Sequence, residues 1–261
     1  MKAPLLTVLM SALLVAAPLV LRNPARLSHD RLINAQPQQS ATAKPPEPER
    51  IVSAFTAKET EFRKALAQYR FKRDAAVQTI GAGGQISGEY RRTSRLTVDD
   101  GGKLIEKILF FPTPTLRLIG VSTEDLDDLF GVQLFALETS KAPLYIFKYV
   151  GQERIDELDL HIFDVSPKTL PDPKKVKDRL FQGRVWVDKE GYQIVKTRGK
   201  GLPEPKNSTY PTVETYREEI DGRFWFPTYA SADEELPDGS GQAVKMRLRI
   251  RFSEFEKVDR R

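Results

Sequence analysis

Between Val244 and Phe252 the chain alternates without a break. Val244, Met246, Leu248, Ile250 and Phe252 are separated by Lys245, Arg247, Arg249 and Arg251. A period of two puts each set on its own side of a strand, so the pattern predicts a last strand over 243–256 with one dry and one wet face. The Arg247/Arg249/Arg251 stripe reads first as a solvated outer face paired with acidic neighbours. Binding of an acidic partner is the sharper reading of the same side chains.

The same period recurs upstream. Residues 85–98 and 103–111 read as a hairpin across Asp99-Asp100-Gly101-Gly102, with Leu104, Ile108 and Phe110 sharing a face with Glu106. Pro112 and Pro114 end its second strand. Further strands are predicted at 131–139, 143–150, 155–165, 181–188, 191–198, 212–220 and 223–230, the last two joined by Asp221-Gly222. In 155–165, Leu158, Leu160 and Ile162 take one side and Glu157, Asp159 and His161 the other. Residues 166–177 and 199–211 read as loops.

Helical spacing occurs twice. Phe55, Phe62, Leu66 and Tyr69 line one face of a predicted helix over 53–70, with Thr56 and Glu59 at capping-box spacing. A short second helix is predicted over 122–130, capped by Ser122 with Glu124 and Asp125 in its first turn. The expected fold is therefore mainly β (α+β). It is a strongly curved antiparallel sheet, or incomplete β-barrel, of about ten strands, closed by a leading amphipathic helix and a short second helix. One side of each strand is apolar, and two helices are too few to cover so large a face. What they leave is either a packed interior or a greasy cavity.

Composition narrows the chemistry. Hydrophobic residues make up 40% and charged residues 30%, enough for one folded domain over 51–261. There is no cysteine, which excludes disulfides, thiolate metal sites and a cysteine nucleophile. Of the two histidines, His29 lies in the leading segment and His161 on a polar strand face, where solvation is the ordinary role. Asp127-Asp128 has no nearby side chain to complete a metal set and reads as a solvated helix face. Gly81-Ala82-Gly83-Gly84 and Gly199-Lys200-Gly201 lack the strand-to-helix setting of a phosphate loop. No cofactor, metal or catalytic residue is expected.

The N-terminus speaks of export. Lys2 precedes an apolar run from Leu5 to Leu21 that ends near Ala16, Ala17 and Pro18, the pattern of a secretory signal peptide within residues 1–35. Arg22, Arg26 and Arg31 behind the run favour the alternative, a retained N-terminal anchor. Residues 36–50 are a Pro/Gln-rich linker. The formal charge of +5 drops to +2 without residues 1–35, which hold four cations and Asp30. That balance gives no ground for a nucleic-acid partner.

Two blocks then carry a family likeness. The first is Phe181-Gln182-Gly183-Arg184-Val185-Trp186-Val187-Asp188 with Gln193-Ile194-Val195-Lys196, and the second runs from Val213 through Asp221-Gly222 to Trp225-Phe226-Pro227. Together with the order of elements, they resemble the bacterial outer-membrane lipoprotein-sorting proteins of the LolA/LolB type, over residues 50–258. The resemblance implies an incomplete barrel closed by helices, residence in the periplasm or cell envelope, and a cargo of lipid or acylated lipoprotein. It does not carry the family's functional arginine onto a residue of this chain, and the lack of cysteine departs from the lipid-anchored receptor form.

A cavity for acyl chains needs apolar walls and few directed polar contacts, since each buried methylene contributes about 0.8 kcal/mol. The candidates for its inner face are Leu96, Ile108, Phe110, Leu158, Leu160, Ile162, Trp225, Met246, Leu248 and Ile250, with Phe62 and Leu66 as a lid. An ordinary core position is the simpler reading of each. Three functions follow: an envelope carrier or chaperone for lipid or lipoprotein, a sensor or protein-binding module on the same scaffold, and a hydrolase of envelope polymers using a carboxylate pair.

Overall fold

The structure is a computed structural model and describes residues 47–99, 104–116, 137–170, 172, 179–204, 211–237 and 243–258. By internal contacts the chain divides into Met1–Lys44 and Pro45–Arg261; the second unit holds everything below. The predicted signal segment, the second helix over 122–130 and the strand predicted at 131–136 lie outside the described residues.

One helix leads. Helix α1 spans Pro48–Leu66, with proline at its first position, Glu49 in the first turn and Arg63 and Lys64 in the last. Each suits the free N–H and C=O groups at the helix ends. Thr56 and Glu59 are not its cap. Both are buried in the middle of the helix, where the Thr56 hydroxyl donates to the Ser53 carbonyl. The helix also ends before Tyr69, which opens the first strand.

Ten strands follow: β1 Tyr69–Ile80, β2 Ile86–Val98, β3 Leu104–Phe110, β4 Tyr145–Ile155, β5 Leu158–Pro167, β6 Leu180–Asp188, β7 Ile194–Leu202, β8 Val213–Ile220, β9 Phe224–Pro237 and β10 Ala243–Lys257. They form one antiparallel sheet in the order β3-β2-β1-β10-β9-β8-β7-β6-β5-β4. The sheet is curved and does not close: β3 and β4 are its two edges. The β8–β9 turn has Asp221 and Gly222 both at positive φ (55° and 65°), the geometry a two-residue hairpin needs.

Several strands differ from the sequence reading. β1 was not foreseen, because its charged positions Arg70, Lys72, Arg73 and Asp74 mask the alternation of Phe71, Ala75 and Val77. β1 is nonetheless central, paired with β10 from Tyr69↔Lys257 to Ile80↔Lys245. Residues 137–139 are a turn rather than a strand. Gly199 to Leu202, read as loop, extend β7, with Gly199 directly opposite Gly183 of β6. A Cβ on Gly199 would lie 2.5 Å from the Phe181 ring, so only glycine lets that ring settle there.

The helix explains the curvature. Phe55 meets Phe147 of β4 and Phe163 of β5 at 5.6 and 5.7 Å, while Phe62 meets Phe226 of β9 at 5.7 Å. Phe55 and Phe62 are about 10 Å apart along the axis. Strands β5 and β9 are four places apart, about 19 Å measured along the sheet. Both can touch one short stretch of helix only if the sheet bends around it. A large cluster accordingly joins Phe62 and Leu66 to β1, β2 and β8–β10, and a second joins Ile51 and Phe55 to β4–β7.

Candidate functional site

The concave face, the one turned toward α1, is where a guest was expected. Beneath the C-terminal half of the helix it is filled by the protein's own rings. Tyr69 and Phe226 are 5.0 Å apart, Phe226 and Phe255 5.3 Å, and Phe71 and Phe255 5.4 Å. Phe62 and Leu66, the predicted lid, are 2% and 0% exposed and belong to this packing.

The remaining candidates separate into three places. Leu96, Met246, Leu248 and Ile250 line the concave face together with Val77 and Tyr90, all buried. Leu160, Ile162 and the partly buried Leu158 and Trp225 gather instead with Trp186 and Val195 on the opposite face. Strand β5 shows why. Leu160, His161, Ile162 and Phe163 are all buried, so both of its faces are covered and polarity alone cannot say which is inner. The odd-numbered Phe163 and Val165 are the ones that face the helix. His161 therefore does not stand on a solvated face. It is buried with its Nδ1 3.4 Å from the Tyr149 hydroxyl, and burial, followed by the charge of Lys189, lowers its pKa against a smaller pull from Asp188.

Ile108 and Phe110 sit on edge strand β3 and are about half exposed, at 51% and 53%. They do not share a face. Ser94 pairs with Ile108 and Thr93 with Phe110, so one extra residue, Leu109, is accommodated between them. Such a bulge reverses the side on which every later residue stands. Ile108 keeps to the concave side beside Ser94, and Phe110 is turned outward.

A polar group that the sequence reading missed, with Arg73, Arg92 and Ser94 buried around a more exposed Glu106, lies on the concave side of β1–β3. The Arg73 Nη2 donates to Glu106 Oε1 at 2.8 Å, the Arg92 Nε lies 3.2 Å from the same oxygen, and the Ser94 hydroxyl also donates to it. Arg73, Arg92 and Ser94 are at most 5% exposed. Their signal was a pair of arginines at inward positions of an alternating stretch, legible only once β1 is recognised. Next to them the chain leaves β3 and passes over β2. Thr115 and Leu116 N–H groups donate to the Glu89 carbonyl, and a Cβ on Gly88 would lie 3.0 Å from the Thr115 carbonyl oxygen.

The concave face thus has two regions. Under the C-terminal half of α1 the described rings pack against one another. Toward β3 its apolar lining continues past the polar group to a rim where Ile108 and Phe111 are exposed and Leu104 and Leu116 half-buried. On the outward face two shallow depressions of 440 and 540 Å³ share Tyr229 and Arg251. Among the described residues no cluster of His, Cys, Asp and Glu is placed to hold a metal, and no helix is long and apolar enough to cross a membrane.

No protein-family model and no curated protein matches the sequence. Solved structures do match at the level of chain trace. A DUF1329 family protein from Desulfovibrio piger is 15% identical with a TM-score of 0.39, covering 79% of this chain and 92% of that one. A LolA superfamily protein from Nitrosomonas europaea is 14% identical with a TM-score of 0.35, over 82% and 94%. An outer membrane lipoprotein-sorting protein domain from Vibrio parahaemolyticus is 11% identical with a TM-score of 0.36, over 79% and 93%. At such identities and scores, what the concave face can hold follows from this chain's own side chains.

Proposed function

We propose that the protein is a non-enzymatic carrier or chaperone of the bacterial cell envelope that holds acyl chains of a lipid or lipoprotein. The carrying observation is the open β3 side of the concave face, where an apolar lining reaches solvent at Ile108 and Phe111 instead of closing into a core. Hydrocarbon needs no directed contact there, only a dry wall, and a sheet that stays open can admit chains of different length. The ring-filled space under α1 moves the guest away from the helix and toward this rim. The export pattern of residues 1–35 supports residence in the envelope, where such cargo travels.

The test is native mass spectrometry of the full chain extracted gently from membranes, with displacement of a fluorescent fatty acid as the solution assay. A co-purifying amphiphile and micromolar displacement are expected, and Ile108→Asp should weaken the displacement at least tenfold. Protein that carries no amphiphile and leaves the probe unbound overturns the reading. The solid packing around Phe226 favours, in that event, the second reading: an envelope sensor or protein-binding module that uses the scaffold without a cargo space.

A further inference from the structure

The outward face of β10, β1, β2 and β3 has charges that neighbouring side chains do not all satisfy. Arg247 and Arg249 are both taken up by Asp233, at 3.1 and 2.5 Å. Lys72 and Arg95 share Glu254, at 3.4 and 3.0 Å. Glu89 is held by the Gln78 amide at 2.7 Å. Arg91, Lys107 and Arg251 are exposed on the same face and make no hydrogen bond or ion pair among the described residues.

These cations are placed by the strand register. Ala76 lies between Arg91 of β2 and Arg249 of β10, and Asp74 between Thr93 and Arg251. The short side chain of Ala76 leaves a hollow among longer neighbours: the 440 Å³ depression, bordered by Arg91, Arg249 and Arg251 and by the carboxylates Asp74 and Glu89. Both carboxylates already have partners, Asp74 in Thr93 and Lys72 and Glu89 in Gln78, so the charge left at this hollow is that of the Arg91 and Arg251 guanidiniums.

The same face has an apolar border. Ile105 stands opposite Thr97, and Phe110 opposite Thr93, whose hydroxyl donates outward to Asp74. Both project on the outward side of the edge strand and are 53% exposed, with Lys107 between them. A soluble acidic partner would answer the arginines but would leave the bare isoleucine and phenylalanine in water. A bilayer with anionic headgroups answers both, its phosphates meeting the cations and its acyl boundary taking the apolar border.

We propose that the outward face of β10–β1–β2–β3 docks the protein on an anionic lipid surface, through Arg91, Lys107 and Arg251 with Ile105 and Phe110 as the inserted edge. The face is separate from the concave side, so this docking stands whether or not acyl chains are the cargo.

The experiment is partition of the full chain onto phosphatidylglycerol-containing vesicles and onto pure phosphatidylcholine vesicles, with the salt dependence of each. The leading apolar segment is common to every variant, so differences between variants report the face. Wild type should prefer the anionic vesicles, and salt should weaken that preference. R91S with R251S should lower anionic partition about thirtyfold, from a loss of about fivefold per cation. R91K with R251K should keep it, and I105S with F110S should weaken the salt-resistant part. Equal binding to both vesicle types, or wild-type partition by either the serine-for-arginine pair or the edge pair, overturns the proposal.

Discussion

At the scale of single residues, one contact fixes how the helix meets the sheet. Arg217 of β8 makes a two-pronged pair with Glu59 of α1, at 2.6 and 2.9 Å, with both side chains at most 4% exposed. The guanidinium also lies 4.6 Å over the Phe62 ring. A buried pair of this kind adds little net stability over apolar residues of the same shape, but removing one partner strands a charge at a cost of about 3–5 kcal/mol. Glu59→Ala should therefore lower the unfolding free energy by about that amount in urea melts. Replacing both residues by methionine should recover most of the loss. His161 makes the second prediction. Burial holds its ring neutral, so its pKa in the folded protein lies below the ordinary value of 6.5. As pH falls the unfolded chain takes up the proton first, and each step toward protonation favours unfolding. The contribution is complete above about pH 6.5 and is lost as pH falls from there through the folded-state pKa. Thermal midpoints should drop between pH 7 and 5, and His161→Asn should flatten the drop; an unchanged slope would trace it to another group.

At the scale of elements, what was legible depended on whether a strand has one covered face or two. β10 and the β8–β9 hairpin were readable because period two and an Asp-Gly turn each have one structural meaning. The stripe of Arg247 and Arg249 pairs across to Asp233, as an outer face should. β5 misled because it is buried on both sides, so its leucines were assigned to the inner face when Phe163 and Val165 hold that place. β1 was hidden by its run of charged positions, including the inward Arg73, and Phe110 was turned outward by a bulge that leaves no mark in hydrophobicity. The passage from β3 across β2 is another element-level feature without a pattern. Its requirement is a missing side chain at Gly88, hard against the Thr115 backbone. Gly88→Val should displace residues 115–116 and destabilise the fold by about 1–3 kcal/mol. Hydrogen exchange at the Thr115 and Leu116 amides, which bond to Glu89, should rise with it.

At the scale of the whole sheet, the class of fold was readable and the location of free space was not. Counting apolar-faced strands predicts a curved sheet with a leading helix, because curvature follows from strand number and from one helix having to reach both ends. Whether the concave side is hollow depends on where individual rings fall. Phe62, Tyr69 and Phe226 look like any other apolar position in the sequence, yet together they pack into the region under α1. Leu96, Met246, Leu248 and Ile250 are buried in the cluster that packs against Phe62 and Leu66, while the polar group around Glu106 was not anticipated.

The meeting of the first and last strands in the middle of the sheet has a consequence for assembly. The β1–β3 block is hydrogen-bonded to the seven strands on its other side only through β10. The contacts that weld the two pieces join residues 69–80 to residues 245–257, so the sheet becomes continuous only when two stretches far apart in the sequence meet, a pairing that closes a long loop and is slow for that reason.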